Sequence, residues 1–172
     1  DGSVWTPEKT IYWSEGKSDV YAYYPYMNIS DVESQYFEVA ADLLNEEEIQ
    51  LIEKMRPGLI QLEIGVQSTN PETIKEIRRT MRFEEVARIV QRINQNKNVH
   101  QHLDLIAGLP FEGMESFKKS FDDVYALKPH QLQLGFLKVL KGSYIEEQKE
   151  NYGLVYKSAP PYEVLFTKWI SY

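Results

Sequence analysis

The chain has 172 residues, with 42% hydrophobic and 26% charged side chains, which is the make-up of a soluble globular domain with a real core. Its 26 acidic and 19 basic residues leave a formal net charge of −7, which argues against a nucleic-acid or anionic-membrane partner. Cys is absent, so disulfides, a Cys nucleophile, thiolate zinc sites and Cys-ligated iron–sulfur clusters are excluded within these residues. No apolar run is long enough to span a bilayer and no signal-peptide pattern is present. The chain opens on Asp1 rather than Met, and is expected to be part of something longer.

Residues 1–35 are rich in Tyr and Trp. Thr10–Trp13 and Val20–Tyr24 read as two short strands around a turn at Ser14 to Ser18. Asn28-Ile29-Ser30 fits a glycosylation acceptor, which carries little weight without a secretory signal. Aromatic density then falls, and a domain boundary is expected at Ser34–Tyr36.

From there strands alternate with helices. "YFEVAADLL" reads as a strand; Asn45 with Glu48 forms a capping box, and Pro57 with Gly58 stops the helix. "LIQLEIGVQ" is the next strand, and Asn70 with Pro71 opens a second helix. A third helix is expected over Phe83 to Asn94, with Val86, Ile89, Val90 and Ile93 on one face. "NVHQHLDLIAGLP" is a strand entering a turn, Glu115 to Leu127 a helix, and "HQLQLGFLKVL" a fourth strand. "APPYEVLFTKWISY" reads as a helix beyond Pro160 and Pro161. Arg78, Arg79 and Arg82 read as a solvated helix end.

All four strands alternate. Phe37 and Val39, Ile60 to Val66, Leu103 and Leu105, and Leu132, Leu134 and Phe136 form apolar sets. Opposite them lie Glu38; Gln61, Glu63 and Gln67; His100, His102 and Asp104; and Gln131 and Gln133. Strands of a sheet buried on both faces are nearly continuously apolar, because desolvated polar groups are costly there. A β/α barrel, or an open part of one, accommodates the pattern: helices cover the outside and the concave inside holds a polar ligand. The expected fold is therefore α/β, a partial, open β/α barrel of parallel strands preceded by a short β-hairpin-like segment.

"FEVAADLL", "LEIGVQSTNPETIKEI", "HLDLIAGLPFEGMESFKKSF" and "LQLGFLKVLKGS" together resemble the radical S-adenosylmethionine (SAM) enzymes, over about residues 36–172. They look most like the subgroup whose barrel follows a cobalamin-binding domain. The resemblance implies an oxidoreductase-like barrel with a [4Fe–4S] cluster on a three-Cys loop, SAM on its fourth iron, and reductive cleavage to a 5′-deoxyadenosyl radical. Cobalamin is implied for a parent chain carrying that further domain. It would place Glu63, Gln67 and Ser68 at the ribose and methionine parts of SAM. The backbone of Ile106, Gly108 and Leu109 would run by the adenine, and Glu38, His102, Asp104, Gln133 and Lys138 would face substrate. The Cys loop and first two strands of the family are missing, Tyr36 entering at about the third strand. The chain alone is thus expected to lack catalytic competence, with its catalytic residues unassigned. Residues 1–35 resemble fimbrillin-like β-sandwich proteins, or else form an aromatic hairpin on the barrel edge.

Two other functions fit parts of the sequence. His100 and His102 have the His-x-His spacing of metal-dependent barrel hydrolases, although the pair stands at the start of its strand rather than at its mouth. A pilus or adhesin module would account for residues 1–35 but not for the helix caps after them. A cytoplasmic location, an unknown small or macromolecular substrate, and self-association through the edge strand near Tyr36 complete the expectations.

Overall fold

The computed structural model describes residues 34–170. The aromatic segment, its hairpin and Asn28 lie outside the described residues, apart from the boundary itself.

Four strands, β1 (Gln35–Val39), β2 (Ile60–Gln67), β3 (His100–Ala107) and β4 (Gln131–Phe136), form one parallel sheet in chain order. Helices α1 (Glu46–Lys54), α2 (Pro71–Glu76), α3 (Phe83–Gln95) and α4 (Met114–Tyr125) fill the crossovers. Among the described residues the sheet stays open, with β1 and β4 as edges. This is the open, partial β/α barrel that the alternation implies.

Local chemistry sets the boundaries. Asn45 accepts from Glu48 N at 3.0 Å while Glu48 Oε2 accepts from Asn45 N at 2.8 Å, the reciprocal bonds of a capping box. Asn70 Oδ1 accepts from Glu72 N at 2.9 Å, with Pro71 at the first helical position. Asn98 Nδ2 donates to Ile52 O at 2.8 Å and to Met55 O at 3.0 Å, tying down two carbonyls at the end of α1.

The core lies between sheet and helices. Leu62, Ile64 and Val66 from β2 and Leu103 and Leu105 from β3 are buried against Ile49 and Ile52 of α1 and Val86, Ile89, Val90 and Ile93 of α3. Each large aliphatic side chain contributes roughly 2 kcal/mol by leaving water. Gln101 is buried with them, its Nε2 donating to Val90 O at 3.1 Å.

Three expectations are corrected. "YFEVAADLL" is a strand only to Val39; Ala41–Leu43 form a 3-10 turn. Leu134 and Phe136 share the alternation of the apolar set but stay 47% and 67% exposed, because the short α5 (Tyr144–Glu147) does not bury the outer face of β4. The described part of "APPYEVLFTKWISY" is not a helix: β5 (Val155–Tyr156) and β6 (Val164–Phe166) form an antiparallel pair, and Lys138 forms a β-bridge with Glu163. The Pro pair cannot donate in a helical ladder, and Val164 is drawn into a second core cluster with Leu109, Leu137 and Val139.

Candidate functional site

Parallel register decides which polar side chains meet. Glu38 stands opposite Glu63, Glu63 opposite His102, and His102 opposite Gln131; one step up, Gly65 stands opposite Asp104 and Asp104 opposite Gln133. The polar set is thus continuous over four strands on the face away from the core. Three acidic side chains, Glu38, Glu63 and Asp104, come from three neighbouring strands. Burial, together with the Glu63 and then the Glu38 carboxyls, pushes the Asp104 carboxyl up to about 7. His102 Nε2 lies 3.1 Å from Asp104 Oδ1, but neither atom has a partner with hydrogen-bond geometry. Paired polar atoms left this way in a buried place mark a surface built to meet something else.

The C-terminal ends of β2 and β3 form the mouth. β2 is irregular between Gly65 and Gln67, and Gln67 takes a left-handed conformation at φ 68°. This bulge turns the Gln67 side chain back over Gly65. A methyl on Gly65 would lie 2.5 Å from Gln67 Nε2, the free end of that side chain, and 3.6 Å from Arg79 Nη1, so the Gln67 amide closes over this position only while it is glycine. Gln67 Oε1 is buried without a partner. Arg79 is half-buried rather than solvated, a correction to the helix-end reading. Burial lowers its pKa against the opposing pull of Asp42, and its guanidinium makes no ion pair among the described residues. Sequence reasoning missed it because Arg78 and Arg79 look alike in sequence. The turn sends Arg78, at φ 59°, outward over the Tyr144 ring at 3.6 Å and Arg79 inward.

The remaining expected residues divide. Glu38 is exposed on edge strand β1, and Gln133 is exposed on β4. Lys138 lies beyond β4, exposed, bridging to Glu163. Ser68 has no surface: its hydroxyl donates to Glu112 Oε1 at 2.6 Å, so its influence on the mouth runs through the loop it anchors. Leu109 is buried in the second cluster, with Ile106 packed on it; Gly108, at φ 92°, lets the backbone turn there. Of the six non-glycine residues with positive φ among the described residues, Gln67 ends β2, Arg78 and Phe111 follow α2 and β3, Tyr162 lies in the last segment, and Lys97 and Lys128 follow α3 and α4.

That segment walls the mouth. Glu76 accepts hydrogen bonds from Tyr144 at 3.4 Å and from Tyr152. Trp169 packs between Phe111 and Tyr152, at ring distances of 4.9 and 5.8 Å.

The His-x-His reading finds no support. The His100 ring lies 5.0 Å from His130, while His102 turns to Asp104. Among the described residues no group of three or more His, Cys, Asp or Glu is arranged to hold a metal. Nor does a pilus module fit a parallel sheet covered by helices.

The radical SAM superfamily model matches residues 18–124, starting ahead of the boundary expected at Ser34–Tyr36. The chain belongs to the radical SAM superfamily. A family described as a protein of unknown function, DUF4080, matches residues 150–172, a range that includes Tyr152 and Trp169.

Curated relatives agree. The chain is 29% identical over 111 residues to the oxygen-independent coproporphyrinogen-III oxidase-like protein HemZ of Bacillus subtilis, covering 64% of this chain and 22% of that one. It is 34% identical over 77 residues to the oxygen-independent coproporphyrinogen III oxidase of Pseudomonas aeruginosa, covering 45% and 17%. It therefore spans about a fifth of the length of these relatives. Among solved structures, coproporphyrinogen III oxidase (HemN) of Escherichia coli, described as a radical SAM enzyme, superposes with TM-score 0.54 at 22% identity over 76% of this chain and 29% of that one. The radical SAM methyltransferase TsrM of Kitasatospora setae, solved with cobalamin and a [4Fe–4S] cluster, gives TM-score 0.58 at 16% identity over 74% and 24%. Archaeal Elp3 of Methanocaldococcus infernus gives 0.57 at 24% identity over 67% and 27%. These likenesses establish the fold.

Proposed function

We propose that the chain supplies SAM and substrate contacts to the barrel of a radical SAM Fe–S oxidoreductase-like enzyme. The observation that carries this reading is the pair of side chains over Gly65: a guanidinium without an ion pair among the described residues and an amide oxygen without a partner. Arg79 matches the carboxylate of the methionine part in charge and in its two-pronged donor geometry. Gln67 and Glu63 offer acceptors for ribose hydroxyls, and the backbone from Ile106 to Leu109 offers the adenine a flat edge behind Gly108. Glu38, His102, Asp104, Gln133 and Lys138 are then left for the substrate.

The donor set does not fit an iron–sulfur cluster, because the chain has no Cys. The cluster belongs to the parent protein's missing loop, and this chain is not competent alone. SAM bound here would supply the carbon–sulfur bond that an electron from that cluster cleaves, and these residues would orient it. Cobalamin enters the reading only if the parent protein carries a domain for it, and a reducible cluster favours a cytoplasmic setting. Among the described residues no helix is long and apolar enough to cross a membrane.

The experiment uses the parent protein, anaerobic and with its cluster reconstituted. SAM binding by calorimetry and 5′-deoxyadenosine release after reduction are measured in wild type and in Arg79→Ala. We expect both in wild type, and an affinity about ten- to a hundred-fold lower in the variant, as for loss of one charge-assisted contact. A parent protein that binds no SAM, or R79A that binds as tightly as wild type, sinks this reading.

A further inference from the structure

Among the described residues, Glu112 is the one carboxyl group with no surface at all. It lies just after the Gly108-Leu109-Pro110 turn that leaves β3, and it reaches two other elements. Its Oε1 accepts from Ser68 Oγ, on the exit of β2, at 2.6 Å and from Ser120 Oγ, on α4, at 2.9 Å. Its Oε2 has no partner. A hydroxyl has one proton to give, so donating to Glu112 leaves each serine with only lone pairs to offer. Backbone donors meet them: Asn70 N reaches Ser68 Oγ at 3.0 Å, and Thr69 N reaches Ser120 Oγ at 3.0 Å.

The chain of bonds runs on to the mouth. Gln67 immediately precedes Ser68. Asn70 caps α2 and also donates to Phe111 O and Ser116 Oγ, each at 3.0 Å, and α2 delivers the turn that sends Arg79 inward. Thr73 Oγ1 donates to Pro110 O at 2.9 Å, a second tie between the same two exits. Burial pushes the Glu112 carboxyl up, opposed by the two serine bonds. Of the neighbouring charges, Asp123 accepts from Thr69 Oγ1 and pairs with Lys119, and neither bonds to Glu112.

We propose that Glu112 is a positioning residue: by holding Ser68 and Ser120 as acceptors for the Thr69 and Asn70 amides, it fixes the exit of β2 and with it the reach of Gln67 and Arg79 over Gly65. The ligand part of this inference rests on the SAM reading above; the tie itself does not. Gln in place of Glu112 keeps an Oε1 acceptor for both hydroxyls, whereas Ala leaves neither serine fixed.

The test is site-resolved hydrogen exchange, together with SAM calorimetry, on the reconstituted parent protein carrying Glu112→Ala or Glu112→Gln. In E112A the Thr69 and Asn70 amides should lose about ten-fold or more of their protection relative to the Leu103 amide in β3, as expected for losing a buried hydrogen bond. SAM affinity should fall about as much. E112Q should stay within about three-fold of wild type on both measures. If E112A does not fold, Ser120→Ala replaces it and should deprotect Thr69 selectively. Equal loss at Leu103, or unchanged SAM affinity with both amides deprotected, overturns the proposal. A wild type with protected amides that binds no SAM defeats the ligand reading alone, and exchange at these two amides still decides the role of Glu112.

Discussion

His102 and Asp104, two residues apart on β3, turn Nε2 and Oδ1 toward each other at 3.1 Å without forming a hydrogen bond. The parallel register adds Glu63 beside His102 and Glu38 beyond it. The face therefore carries more acid than it neutralises among the described residues, and Asp104 bears the consequence.

Stability should fall as pH rises toward neutrality, and Asp104 should account for much of the slope. Its folded carboxyl titrates at about 7, against an ordinary value of 3.8. Below pH 4 it is neutral in both states; between 4 and 7 the unfolded chain ionises while the folded one resists. The contribution is thus present in acid and lost as pH rises through that window. Asp104→Asn should gain roughly 1–3 kcal/mol over wild type at pH 8 relative to pH 4.5, read by urea denaturation. A wild-type-to-variant difference that does not change with pH would refute the assignment.

Gly65→Ala should separate binding from folding. The added methyl meets the free end of the Gln67 side chain, which can swing away, so stability should change by less than about 1 kcal/mol. The swing removes Gln67 from the mouth and crowds Arg79. SAM affinity in the parent protein should drop about ten-fold, with the melting temperature nearly unchanged.

Asn45→Ala removes the side-chain half of the cap on α1, its Oδ1 acceptor for Glu48 N, and leaves the backbone N–H at position 45 donating to Glu48. The loss should be about 1 kcal/mol, seen as a lower denaturation midpoint at constant slope. A neutral result would mean that Asn98 and packing alone fix that helix.

Among the described residues strand β1 is an edge of the sheet with Tyr36 53% exposed, and a strand edge invites a second strand. The isolated chain should therefore self-associate as its concentration rises, measured by size-exclusion chromatography with light scattering. A monomer at all concentrations would show that the edge is protected.

The periodicity of the sequence was enough for the sheet and its two faces. Alternation along β1, β2 and β3 has a period of two whatever the surroundings, and the caps at Asn45 and Asn70 act through neighbours three residues away or fewer. Local chemistry of that range is legible in a string of letters. The outer face of β4 was not, because Leu134 and Phe136 are apolar whether or not a helix covers them. The last segment also read wrongly, since β5 and β6 hold each other across seven intervening residues and depend on a core supplied by Leu109, Leu137 and Val139.

The site shows the same division. By itself the sequence determined which residues share the polar face and to which family the barrel belongs, because both depend on order and spacing along the chain. Only the tertiary structure decided that Arg79 turns inward while Arg78 turns outward, that Ser68 is spent on Glu112, and that His102 meets Asp104 rather than His100. The first depends on a turn, the second on a partner 44 residues away along the chain, and the third on a choice between two neighbours at equal spacing on one strand; the energy that chooses among them comes from burial, which no local pattern records.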